Sequence, residues 1–230
     1  SKFTNAGDTD VTVEHGKNSA TGLFLYDGKA VNNDKLTVGQ AKGATGATAP
    51  TVAKSNGTVT VNATSATPGK YTVEVKYADG DKKGDYTVNI TVTKATLTPP
   101  SDLVVTVDKN TASGVASSDD VRVKFKKVDS GATATTASDV TGVTVEGTVN
   151  DGKLTKLSND GKFDDADFGK VKVEYEVATG KLKFTGASSE TKTHAQKTVT
   201  FRLKLTLSAD MSKNYADTVD VPVKVTTSNF

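Results

Sequence analysis

Tyr71-Thr72-Val73-Glu74-Val75-Lys76-Tyr77, then Asp79-Gly80, then Tyr86-Thr87-Val88-Asn89-Ile90-Thr91-Val92, is the stretch on which the fold turns. Valine, isoleucine and tyrosine hold every second position, with threonine, glutamate, lysine and asparagine between them. A strand has a side-chain period of two, so each run presents one dry face and one wet face. Asp-Gly between the runs tolerates the positive φ that a tight hairpin requires. The stretch therefore reads as two antiparallel strands covering one side of a core.

The same pattern extends outward. Val11-Thr12-Val13-Glu14, Leu23-Phe24-Leu25-Tyr26, Lys35-Leu36-Thr37-Val38 and Thr58-Val59-Thr60-Val61 alternate likewise, punctuated by Asp27-Gly28, Asn56-Gly57 and Pro68-Gly69. Strands at intervals of about 8–12 residues with such turns predict a sandwich or barrel. Composition agrees: 30 Val and 37 Thr stand against 11 Leu and 1 Ile. Branching at Cβ stiffens χ1 and suits a pleated, half-buried surface better than a helix. The core is lean, yet a formal net charge of only +2 is far from the strong charge imbalance of disordered chains.

The second half restates the first. After Leu97-Thr98-Pro99-Pro100-Ser101, Val105-Thr106-Val107-Asp108 echoes Val11–Glu14, and the stretch 177–184 echoes 52–61. Lys197-Thr198-Val199-Thr200-Phe201-Arg202-Leu203 answers Lys70–Val75, and Asp217–Val225 answers Tyr86–Val92. Two copies of one module in a row are the signature of an array. The expectation is two tandem all-β, antiparallel sandwiches over 1–96 and 102–230, with 97–101 as a proline-rich linker. The second copy carries an insertion around 129–170.

The run from Val52 to Val92 resembles the bacterial immunoglobulin-like repeats of surface-layer proteins and outer adhesins. The resemblance rests on Asn56-Gly57-Thr58-Val59, Pro68-Gly69-Lys70-Tyr71-Thr72-Val73 and the Asp79-Gly80 turn. It implies an immunoglobulin-like sandwich on a cell surface that tiles or spaces, and it hands over no catalytic residues. The expected function is a non-enzymatic structural module of an extracellular surface assembly, a lattice or stalk, whose partners are copies of itself or neighbouring domains. The alternatives are an adhesin or carbohydrate-binding module using the 129–170 insertion, and a phage-tail or pilin-like subunit.

Chemistry-bearing residues are few. The absence of Cys excludes thiol chemistry and disulfide scaffolds without arguing against export. With 29 basic and 27 acidic residues dispersed along the chain, no nucleic-acid footprint emerges. No apolar run is long enough for a membrane helix. No charged-plus-apolar leader opens the sequence, so an exported chain has lost its signal or belongs to something longer.

His15 and His194 lack partners at ligand spacing and read as solvated loop histidines, and the Ala-Gly-Thr tract at 41–49 reads as a flexible loop. No cofactor is expected apart from calcium at one segment, Asn159-Asp160-Gly161-Lys162-Phe163-Asp164-Asp165-Ala166-Asp167. Calcium takes six to eight oxygens, and Asp160, Asp164, Asp165 and Asp167 gather carboxylates around a glycine bend. Aligning Gly161 to the sixth position of a helix-loop-helix calcium loop puts Lys156 where an acid is required, so only an irregular loop site remains. A cell-surface glycan would need an aromatic platform, for which Tyr26, Tyr77, Phe163, Phe168 and Tyr215 are the candidates.

Overall fold

Alternation over 69–93 produces a long hairpin, and a sandwich is built around it. The computed structural model describes residues 2–7, 10–129 and 131–230. Unit 1 comprises Ser1–Ala95 with two later segments, Val128–Ala132 and Lys213–Tyr215. Its strands are β1 (Phe3–Asn5), β2 (Asp10–Glu14), β3 (Asn18–Ala20), β4 (Phe24–Tyr26), β5 (Lys29–Ala30), β6 (Leu36–Val38), β7 (Thr51–Ser55), β8 (Thr58–Asn62), β9 (Gly69–Asp79) and β10 (Lys82–Thr93).

Three sheets form, in the orders β2-β10-β9-β6, β3-β8-β7 and β1-β4-β5. Tyr71, Val73, Val75 and Tyr77 of β9 are all buried, whereas Lys70, Thr72, Glu74 and Lys76 between them are exposed. Val59 and Val61 of β8 meet them from the facing sheet. Each such side chain contributes about 1.5–3 kcal/mol on burial, which is how a valine-rich core suffices. Phe3 closes one end, its ring 5.4 Å from Phe24 and 5.5 Å from Tyr77. It lies over Gly84, where an added Cβ would fall inside the Phe3 side chain, so that position has to be glycine.

Unit 2 comprises Thr96–Lys127, Thr133–Ser212 and Ala216–Phe230. Its strands are β11 (Val104–Asp108), β12 (Val115–Asp120), β13 (Val140–Asn150), β14 (Lys153–Lys156), β15 (Lys162–Asp165), β16 (Gly169–Glu176), β17 (Lys181–Thr185), β18 (His194–Leu207) and β19 (Thr218–Ser228), and a short α-helix, α1 (Ala209–Asn214), belongs to it as far as Ser212. The sheets run β11-β19-β18-β13-β14 and β12-β17-β16-β15. Phe163, Phe184 and Phe201 form an edge-to-face trio in the core, with centroids 5.1–6.4 Å apart.

The two units share one plan. In each, the leading strand of the main sheet lies parallel to the closing strand: β2 beside β10 with Val11 opposite Ile90, and β11 beside β19 with Val105 opposite Val225. The remaining ladders within the sheets are antiparallel. The fold is thus all-β and immunoglobulin-like, with one parallel pair per unit added to the expected antiparallel scheme.

Matching these rungs sets Val75 of β9 against Phe201 of β18, and β6 against β13. This corrects the reading of 129–170 as an insertion. Val140–Asn150 is a strand of the main sheet, and only β14 and β15 lack counterparts in unit 1. Bulges between Val140 and Gly142 and between Val145 and Gly147 interrupt its alternation, which is why it does not read as a core strand. The segment expected to be a linker is also packed: Leu97 is fully buried, and Thr98 and Lys126 exchange N–H···O bonds at 2.9 and 3.0 Å within unit 2.

Candidate interaction surfaces

The acidic segment of unit 2 is organised by lysines. The Lys197 ammonium bonds both oxygens of Asp165 at 2.9–3.0 Å and Asp167 at 2.9 Å. Asp165 also accepts the backbone N–H groups of Asp167 and Phe168 at 2.8 and 3.0 Å, closing the turn after β15. Burial alone would raise the Asp165 carboxyl, but Lys197 and the two N–H donors outweigh it and hold it below the ordinary carboxylate value. Lys197 lowers Asp167 as well, and the two carboxylates together raise the lysine.

Asp160 accepts the Ser158 hydroxyl at 2.5 Å and pairs with Lys162 at 3.1 Å. The hydroxyl first and the lysine second draw its carboxyl down to about 2. Asp164 alternates to the exposed face of β15. The structure therefore does not bring the four calcium candidates together. Among the described residues, no group of three or more His, Cys, Asp or Glu is arranged to hold a metal ion.

His15 departs from the expectation of a solvated residue. It is 2 % exposed, its Nδ1 lies 2.7 Å from the Ala66 carbonyl, and its Nε2 lies 3.2 Å from Asp129 within unit 1. The Tyr215 ring meets it edge-on at 5.6 Å. Burial first, and the Asp129 carboxylate second, push the Tyr215 phenol up to about 12. His194 is half-buried against Phe168, ring to ring at 5.5 Å. Of the five aromatics named as a glycan platform, Tyr77, Phe163, Phe168 and Tyr215 are core residues at 5 % exposure or less, leaving only Tyr26 partly accessible. A ring in the core cannot stack on a sugar.

The tract at 41–49 is tied down and not a free loop. Thr67 N–H donates to the Thr48 carbonyl at 2.9 Å, Thr48 N–H donates to the Thr67 hydroxyl at 3.1 Å, and Ala41, Ala47 and Ala49 pack against the core. Two grooves lie at sheet margins. One, of about 260 Å3 in unit 2, runs between Thr148–Asn150, Phe163–Ala166 and Lys197–Thr200. The other, of about 380 Å3 in unit 1, lies between Val38–Ala41 and Ala49–Val52, beside the outer strands β6 and β7. Lys54 Nζ donates to the Leu36 carbonyl at 2.9 Å, so the end of this margin near the β7–β8 turn is closed by a side chain.

No protein-family model matches the chain, and no curated protein matches it. Among solved structures, a chimeric titin Z1Z2 carrying a decorin peptide is 9 % identical over 99 % of this chain and 97 % of that chain, with a TM-score of 0.30. Domains 4–9 of the surface layer protein SbsC are 16 % identical over 98 % of this chain and 32 % of that chain, with a TM-score of 0.29. An endo-fucoidan hydrolase of glycoside hydrolase family 107 is 15 % identical over 97 % of this chain and 33 % of that chain, with a TM-score of 0.28. The sandwich assignment rests on the strand ladders, and no function is carried over from these structures.

Proposed function

We propose that this chain is a non-enzymatic structural module of an extracellular surface assembly, acting through protein–protein contacts made by its sheet margins and exposed strand faces. The observation that carries the reading is the repeated plan: two sandwiches with one strand order, each closed on itself by pairing its leading and final strands. A unit copied in this way supplies spacing and repeated surfaces. Repeated heterologous contacts between such surfaces generate extended arrays. The main sheets turn rows of Lys, Thr, Glu and Asp outward, which suits polar contacts between subunits.

Sedimentation and electron microscopy of the chain over a concentration series, with and without calcium, test this. Concentration-dependent association into sheets or filaments is expected, with calcium making little difference because lysines already hold Asp160, Asp165 and Asp167. A particle that stays at the 23.9 kDa monomer mass under every condition overturns the proposal.

A further inference from the structure

Three hairpin loops of the chain share one conformation. Asp27-Gly28, Asn56-Gly57 and Asp151-Gly152 each join paired strands through two residues, with Tyr26 opposite Lys29, Ser55 opposite Thr58 and Asn150 opposite Lys153. All six loop residues have positive φ, between 48° and 78°, as a two-residue hairpin of this hand demands. The middle loop alone is built on asparagine, and Asn56-Gly57 is the only Asn-Gly pair in the sequence. That pair has a chemistry of its own. The glycine nitrogen, unhindered by a side chain, attacks the asparagine Cγ, whose neutral amide is a better electrophile than the carboxylate of aspartate.

The three glycines differ in their surroundings. Gly28 and Gly152 are exposed, and an added Cβ would meet nothing within 4 Å at either. Gly57 is buried. Its N–H donates to Asn33 Oδ1 at 3.0 Å, and its carbonyl accepts the Phe24 N–H at 2.8 Å. The attacking atom is thus the one that is tied. Asn33 opens a short 3-10 helix, Asn33–Lys35, which Asn32 caps by accepting the Asp34 N–H at 3.0 Å. The Lys54 ammonium, bonded to the Leu36 carbonyl at 2.9 Å, fastens the same hairpin to the same segment.

We infer that Asn56 is a deamidation site of this chain and that Asn33 keeps it closed while unit 1 is folded. In the reaction the Gly57 nitrogen gives up its proton and bonds to Asn56 Cγ. The Cγ–Nδ2 bond breaks, and ammonia leaves with that proton. Water then opens the five-membered imide at either carbonyl, leaving aspartate or isoaspartate. The Asn33 contact opposes the first step. It must break before the nitrogen can turn on Cγ, and burial disfavours the charged nitrogen left when the proton departs. Either product puts a negative charge at the turn. Isoaspartate also adds a backbone methylene to a loop whose length sets Ser55 opposite Thr58.

The test follows Asn56 by peptide mass spectrometry in the full chain, incubated in mildly alkaline buffer. A free peptide of residues 53–60, Ala-Lys-Ser-Asn-Gly-Thr-Val-Thr, gives the unprotected rate. The folded chain should convert about tenfold or more slowly than the peptide, since two bonds on Gly57 have to open. Asn33→Ala should speed conversion by about threefold to tenfold. Asn33→Asp keeps an oxygen acceptor and should stay near the unsubstituted rate. Thermal unfolding establishes that each variant is folded. Hydrogen exchange of the Gly57 amide in the unsubstituted chain is a readout that needs no substitution, and slow exchange is expected.

Conversion of the folded chain at the peptide's rate overturns the inference. So does an Asn33→Ala chain that is folded and no faster, or an Asn33→Asp chain that is folded and as fast as Asn33→Ala. Where Asn33→Ala fails to fold, rapid exchange of the Gly57 amide in the unsubstituted chain overturns it.

Discussion

Lys197 shows how a single side chain decides what a cluster of acids becomes. Asp165 and Asp167 flank its ammonium, so the segment that reads as a cation site already holds a cation, the lysine's own. Both carboxyls are held below their ordinary value in the folded chain. Their contribution is therefore complete above the unfolded carboxylate value of about 4 and is lost as pH falls through the lower folded values. Lys197→Ala should lower the melting temperature by a few degrees at pH 7 and flatten the fall in stability below about pH 4. Thermal unfolding from pH 2 to 7 checks both; an unchanged acid slope would show that the clasp is not linked to folding. The sequence conceals this clasp because Lys197 lies 32 residues from Asp165. His15 is hidden for the same reason, its partner Asp129 being 114 positions away.

Among the elements, legibility follows the strength of alternation. The strands β9, β10, β18 and β19 alternate over many positions, and each appears where the pattern predicts it. β19 even accommodates Pro222, which lies before the β11 ladder begins at Lys224, where a missing N–H costs no rung. Strand β15 is nearly invisible by contrast. It has one apolar residue, Phe163, among Lys162, Asp164 and Asp165, and its acids suggest a loop. That phenylalanine is nonetheless 3 % exposed and sits in the aromatic trio. Phe163→Ala should cost about 3–5 kcal/mol, as truncations of buried aromatics do. Urea unfolding of the full chain measures it, and a cost below about 1 kcal/mol would mean that β15 is an ornament on the sandwich and not part of its core.

At the scale of the whole molecule, repetition was the most readable property and the boundaries the least. Matching Val11–Glu14 to Val105–Asp108 needs only the sequence, and both stretches take the same place beside a closing strand. Proline pairs suggest a hinge by chemistry alone, yet Leu97 is buried and Thr98 is bonded, and neither fact has a local signal. Unit 1 also draws on Val128–Ala132 and Lys213–Tyr215. A fragment of residues 1–96 therefore lacks Asp129 and Tyr215 and leaves the buried His15 short of a partner. It should be less stable than unit 1 in the full chain by about 1–3 kcal/mol, the cost of an unpaired buried polar group. Hydrogen exchange of the β9 amides in fragment and full chain gives the comparison; equal protection would show that the added segments carry no energy.

The parallel pairing within each unit has a mechanical consequence. Tension drawn along the polypeptide pulls β2 toward its start and β10 toward its end, in opposite senses along a shared axis, and it does the same to β11 and β19. Five rungs in each pair are then loaded in shear and yield together, where a hairpin pulled open at its mouth would unzip one rung at a time. A chain whose units are latched in this way is suited to carrying load from one end to the other.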